Sequence, residues 1–277
     1  MSRYRFEHGM MVREIPGSKS EGILLYLHGL GESGISLESI ATHPELRGFH
    51  HILPDLPGYG RSSWPVTPLS LQETALFLLD WIDQRKLDRI ILIGHSMGGV
   101  LGQYLCEERP HIFLGIINIE GNISPGDCTF SGQAITYTQE EFEVHGFDWL
   151  RKGVYLSGAR RKALQGYYAS LRFASPQQFW RHSNDLVNLS KDGTLARSFT
   201  GLQQRKRFIA GAPDGLCGTS LELLKKENTP LSIIRPAGHW PFLDKPSSFI
   251  AEILPFITGK TTDELAALSS PLPTTPR

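Results

Sequence analysis

The chain has 277 residues, 28 basic and 28 acidic, so its formal net charge is zero. With 40% hydrophobic and 20% charged residues it has the make-up of a folded, enzyme-sized protein, long enough for one large domain or one domain carrying an insertion. This balance excludes a wholly disordered chain, leaves no basic footprint for nucleic acid, and offers no apolar stretch near the roughly 20 residues that span a bilayer.

Residues 1–8 are largely polar and lack the apolar run of a secretory leader, so a cytoplasmic protein is expected. Cys106, Cys128 and Cys217 are scattered without a C-x-x-C pair, which points to reduced thiols rather than a disulfide framework or a zinc site. Short, β-branched runs at Ile23–Leu27, His50–Leu53 and Arg89–Ile93 read as buried parallel strands. Between them, Leu69–Leu87 repeats apolar residues at helical spacing, and Val100–Glu107 reads as a helix after Gly98-Gly99. Leu114–Ile119 follows as another strand. Alternation of this kind predicts an α/β fold around a mostly parallel sheet.

From about 124 to 204 the strand signals fade, and this stretch holds 12 of the 27 aromatic residues. A helical insertion is expected here. Strand-like sequence returns at Arg207–Gly211 and Leu231–Ile234, followed by a helix over Pro246–Ile257. Residues 261–277, with three prolines and many Ser and Thr, read as a frayed tail.

The most informative segment is Gly94-His95-Ser96-Met97-Gly98, in which a strand runs directly into G-x-S-x-G and then a helix. Such a turn forces the serine into a strained backbone geometry and needs small neighbours two residues to either side. A glycine-rich strand–helix turn with an incidental serine would share the pattern. A competing motif lies upstream: Gly29-Leu-Gly31-Glu-Ser-Gly34 matches the dinucleotide fingerprint on paper, with Asp55 ending the next strand. That reading leaves Ser96 and His239 unexplained.

Three further segments accompany the serine: His28-Gly29-Leu30-Gly31, then Asp55-Leu-Pro-Gly-Tyr-Gly-Arg-Ser62, and finally Gly238-His239-Trp-Pro-Phe-Leu-Asp244-Lys-Pro246. Together with the G-x-S-x-G turn, and in this order, they resemble the alpha/beta-hydrolase superfamily. The resemblance covers roughly residues 10–122 and 205–258. It implies a core of residues 1–123 and 205–260, with a helical cap at 124–204.

The resemblance implies that Ser96 is the nucleophile and His239 its base, with the backbone N–H groups of Leu30 and Met97 forming an oxyanion hole. His28 and His95 read as hydrogen-bonded loop residues. Two carboxylates compete for the third triad position. Asp214 follows the seventh strand, where most of the superfamily carries its acid. Glu120 follows the sixth, 24 residues after Ser96, as in those haloalkane dehalogenases that hold a glutamate there. A carboxylate ending so apolar a strand needs a partner, whereas Asp214 lies among turn residues, so Glu120 is favoured.

A serine at this position implies acyl chemistry on esters, thioesters or lactones. Dehalogenases and epoxide hydrolases of the superfamily require an aspartate at position 96. A cofactor-free C–C hydrolase, acyltransferase or perhydrolase, or a non-catalytic binding protein on the same fold, are the alternatives. No cofactor or metal motif is visible, and the expected partner is a small molecule rather than nucleic acid or a membrane. The aromatic richness of 124–204 points to an apolar or aromatic substrate. The short basic run Arg160–Lys162 reads as a solvated face.

Overall fold

A computed structural model of the chain describes residues 2–19 and 21–260; the tail expected at 261–277 lies outside them. Eight strands form one sheet in the order β1-β2-β4-β3-β5-β6-β7-β8. At its centre β3 (Ile23–Leu27), β5 (Ile90–His95) and β6 (Phe113–Ile119) are apolar on both faces and almost wholly buried, as strands covered by helices on each side must be. β4 (His50–Pro54), β7 (Arg205–Asp214) and β8 (Leu231–Gly238) pair parallel with this centre.

Two strands were not expected from the sequence. β1 (Arg3–Glu7) and β2 (Met10–Ile15) form a hairpin whose second strand adds antiparallel to β4. β1 is an edge strand with its side chains largely exposed, so it lacks apolar alternation. β2 hides its nature behind two buried charges, Arg13 and Glu14; the Glu14 carboxylate is met by Arg85 Nη2 at 2.6 Å.

Helix α1 (Leu71–Gln84) starts at a capping box in which Ser70 and Glu73 satisfy each other's backbone N–H groups. Helix α2 (Met97–Glu108) begins three residues earlier than expected, because Gly98 and Gly99 do not break it. A Cβ on Gly98 would collide with the Leu27 carbonyl, so the glycine is what lets the first turn lie against β3.

The strand register aligns the carboxyl ends of the sheet. Leu27 pairs with Gly94, His95 with Ile119, and Ile119 with Ile209. The residues that follow β3, β5, β6 and β8 therefore emerge along one edge, where α/β sheets carry their ligands.

Between β6 and β7 the chain is helical: α3 (Thr129–Ala134), α4 (Phe147–Gly158), α5 (Lys162–Leu171), α6 (Pro176–Leu189) and α7 (Thr194–Gly201). Phe142, Phe147 and Phe179 pack on one another here with ring centroids 5.5–5.7 Å apart. α6 is tied to the sheet side through His182, which meets the Tyr59 hydroxyl at 2.8 Å and Thr74 Oγ1 at 3.0 Å. The Gln178 side chain also brackets Leu69, accepting from its N–H at 2.9 Å and donating to its carbonyl at 2.6 Å. Helices α8 (Gly218–Lys226) and α9 (Pro246–Thr258) complete the outer layer. No helix of the described residues is long and apolar enough to cross a membrane.

Candidate active site

Ser96 sits between β5 and α2 with φ 52° and ψ −120°, a conformation L-residues rarely hold. Its own N–H donates to the Ile119 carbonyl at 2.8 Å, which pins the turn to the end of β6. Gly94 makes room for this geometry, since a Cβ there would run into the backbone of Gly98.

One strand over, Glu120 ends β6, also at positive φ (54°). Its N–H donates to the Ile209 carbonyl at 2.9 Å. The buried carboxylate accepts the Gly211 N–H on Oε1 at 2.6 Å, and its Oε2 lies 3.2 Å from Nδ1 of His239. A carboxylate can only accept, so Nδ1 carries a proton; in the neutral ring the free lone pair then belongs to Nε2. Among the described residues, Nε2 has no hydrogen-bond partner, and neither has the Ser96 hydroxyl.

Ser96, Glu120 and His239 line one cavity of about 1010 Å³. Leu30 lines it too, and the Leu30 and Met97 N–H groups have no hydrogen-bond acceptor among the described residues. An alpha/beta hydrolase fold model matches residues 22–246.

The chain belongs to the alpha/beta hydrolase fold family.

Epoxide hydrolase 3 of Siraitia grosvenorii is 30% identical over 107 residues, covering 37% of this chain and 33% of that protein, so the match spans only about a third of that hydrolase. The pimeloyl acyl-carrier-protein methyl ester esterase of Edwardsiella ictaluri is 28% identical over 253 residues, or 86% of this chain and 94% of the esterase. Among solved structures, an esterase from Exiguobacterium antarcticum superposes with a TM-score of 0.74 at 18% identity, covering 93% of this chain and 99% of that one.

Within this fold the two candidate carboxylates fall in different places. Glu120 reaches His239. Asp214, at the end of β7, has a side chain 60% exposed and lies 3.6 Å from Arg161. The fold thus brings Ser96, His239 and Glu120 together around the cavity; Asp214 borders the same cavity but is paired with Arg161.

His28 is a buried structural residue: Nδ1 donates to the Gly29 carbonyl at 2.8 Å and Nε2 accepts from the Leu56 N–H at 2.9 Å. Desolvation lowers its pKa below the ordinary value, more than the backbone bond and nearby carboxylates raise it. Asp55, the acid of the apparent dinucleotide fingerprint, is consumed internally by the N–H groups of Gly34 (2.8 Å) and Arg61 (2.9 Å).

Two expectations about the helical segment change. Of its twelve aromatic residues only Phe130 and Tyr167 line the cavity, because most of the others pack the helices. Arg160–Lys162, expected on a solvated face, also border the cavity. One site residue was missed altogether. Glu32, buried beside His95 at 3.0 Å, borders the cavity and was noticed only as part of the glycine-rich motif. A lone acid inside an apolar, glycine-rich stretch was the available signal.

Proposed function

We propose that the protein hydrolyses an ester-type bond of a small substrate through an acyl-enzyme on Ser96, with His239 as base and Glu120 as the triad acid. The observation that carries this is the Glu120–His239 contact opening onto the cavity where Ser96 stands on its strained turn. In this reading residues 124–204 are a cap over a core of residues 1–123 and 205–260.

Nε2 of His239 takes the Ser96 hydroxyl proton as Oγ attacks the carbonyl carbon. Glu120 holds the ring in the Nδ1–H tautomer and stabilises the imidazolium. The N–H groups of Leu30 and Met97 receive the oxyanion; each such donor is worth about 3 kcal/mol of barrier. His239 then returns the proton to the leaving oxygen, and a water activated in the same way releases the acid. No hydrogen bond joins Ser96 to His239 among the described residues, and such bonds often form only around substrate.

For the substrate, the apolar wall of Leu150, Val154, Leu164 and Phe130 suits a hydrocarbon group, while Arg160–Lys162 give the cavity a cationic border. A carboxylic ester, thioester or lactone with one apolar end fits this lining. The test is a fluorophosphonate probe with a panel of p-nitrophenyl esters, aryl esters and lactones. Labelling and turnover that vanish together in Ser96→Ala are expected. An unmodified protein that is neither labelled nor active on any of them overturns the proposal.

A further inference from the structure

Glu32 takes no part in the chemistry above, yet its carboxylate is buried and fully engaged. Oε1 accepts from the Trp240 indole N–H at 2.6 Å. Oε2 accepts from the Gly29 N–H at 2.8 Å and faces Nδ1 of His95 at 3.0 Å. The three donors belong to three different segments: the loop after β3 that carries Leu30, the residue before Ser96, and the residue after His239. His95 closes the circuit, with Nε2 at 2.8 Å from the His239 carbonyl oxygen.

That carbonyl can only accept, so Nε2 of His95 carries a proton. The Nδ1–Oε2 contact must hold a second proton. Two other N–H donors already converge on the carboxyl group, which favours its ionised form and leaves that proton on the ring. Burial acts against both charges. It raises the Glu32 pKa, yet the charge of His95 and the bonds from His95, Trp240 and Gly29 hold the carboxyl well below the usual range. It lowers the His95 pKa, yet Glu32 brings the imidazole out above its ordinary value.

We propose that Glu32 and an imidazolium at His95 are positioning residues, a buried ion pair that fixes the oxyanion loop, the nucleophile turn and His239 relative to one another. The proposal rests on the assignment of Ser96 and His239 given above. Its spatial margin is small: a methyl group on Gly29 would stand 3.2 Å from Ser96 Cβ and 3.0 Å from Glu32 Oε2. Compared with apolar packing of the same volume, a buried ion pair contributes little net stability. Its effect lies in where it holds the groups.

The test compares the full chain with Glu32→Gln and Trp240→Phe, measuring ester hydrolysis per fluorophosphonate-titrated site, so that any misfolded fraction drops out. Glu32→Gln is expected to lower kcat by about 10- to 100-fold with KM nearly unchanged. Trp240→Phe, which removes one donor and keeps the carboxylate, is expected to show a smaller loss of the same kind. Nitrogen NMR of the histidine-labelled parent should find both His95 ring nitrogens protonated at neutral pH.

Parental kcat per site in Glu32→Gln, or a single ring proton on His95 in the parent, overturns the proposal. If Glu32→Gln does not fold, Trp240→Phe and the NMR state of the parent decide it. Failure of the parent to label at Ser96 overturns instead the reading on which this one rests.

Discussion

Oε2 of Glu120 and Nδ1 of His239 meet at 3.2 Å although 119 positions separate them in the chain. The contact joins the end of β6 to the loop after β8, with β7 lying between the two strands in the sheet. Replacing Glu120 by Gln keeps the shape and removes the charge that the imidazolium needs. Turnover of a p-nitrophenyl ester should fall by about 10,000-fold. Asp214→Asn, which removes a half-open ion pair with Arg161 at the cavity border but leaves the Glu120–His239 contact intact, should stay within about twofold of the parent. The reverse pattern would transfer the role to Asp214.

Crowding at the nucleophile turn makes a second prediction. Gly98→Ala drives a Cβ into the Leu27 carbonyl. It should lower stability by about 1–3 kcal/mol in denaturant unfolding. Gly166→Ala, in α5 with no heavy atom within 4 Å of the added carbon, should stabilise by about 0.5–1 kcal/mol.

The His182 link between α6 and the sheet should be sensitive to acid. Burial, followed by the charges of His28 and Arg181, pushes the His182 pKa down to about 3. Gln178 Nε2 approaches His182 Nε2 at 2.9 Å, so that ring nitrogen accepts and is unprotonated in the folded chain. Between pH 6.5 and about 3 the unfolded state therefore binds a proton that the folded state refuses, and stability is lost as pH falls. Hydrogen-exchange protection in α6, taken relative to the intrinsic amide rate at each pH, should fall over this range in the parent, and less steeply in His182→Gln.

The Glu32–His95 pair gives a different profile. Glu32, with its pKa lowered from 4.5, contributes stability that is complete above 4.5 and lost as pH falls through its folded value. His95, with its pKa raised from 6.5, contributes stability that is complete below 6.5 and lost as pH rises through its folded value. The melting-temperature difference between parent and Glu32→Gln should therefore be largest between pH 4.5 and 6.5 and shrink on the alkaline side. A difference that keeps growing above pH 8 would contradict the ionised pairing.

The parallel part of the sheet, six of its eight strands, was legible because β3, β5 and β6 bury both faces and so are almost entirely apolar. The hairpin of β1 and β2 was not, because an exposed edge and the buried charges Arg13 and Glu14 erase the alternation by which strands are read. In the site, Ser96 and His239 stood out through their motifs, and Glu120 through the misfit of a carboxylate ending an apolar strand. Glu32 was invisible as a hub because two of its partners lie 63 and 208 residues away, and local sequence carries no trace of contacts at such range. The aromatic richness of 124–204 was a blunt substrate signal for a related reason: composition cannot separate rings that pack helices from rings, such as Phe130 and Tyr167, that face the cavity.

Because each group rides on the end of a separate strand, a growing polypeptide acquires them one at a time. A nascent chain that has left the ribosome only as far as Gly211 already owns the serine and the glutamate, together with the amide that clasps the glutamate, but no imidazole to draw the hydroxyl proton. On the proposed reading, hydrolytic competence would arrive in a single step, when β8 docks and delivers His239, and an unfinished molecule would be chemically silent.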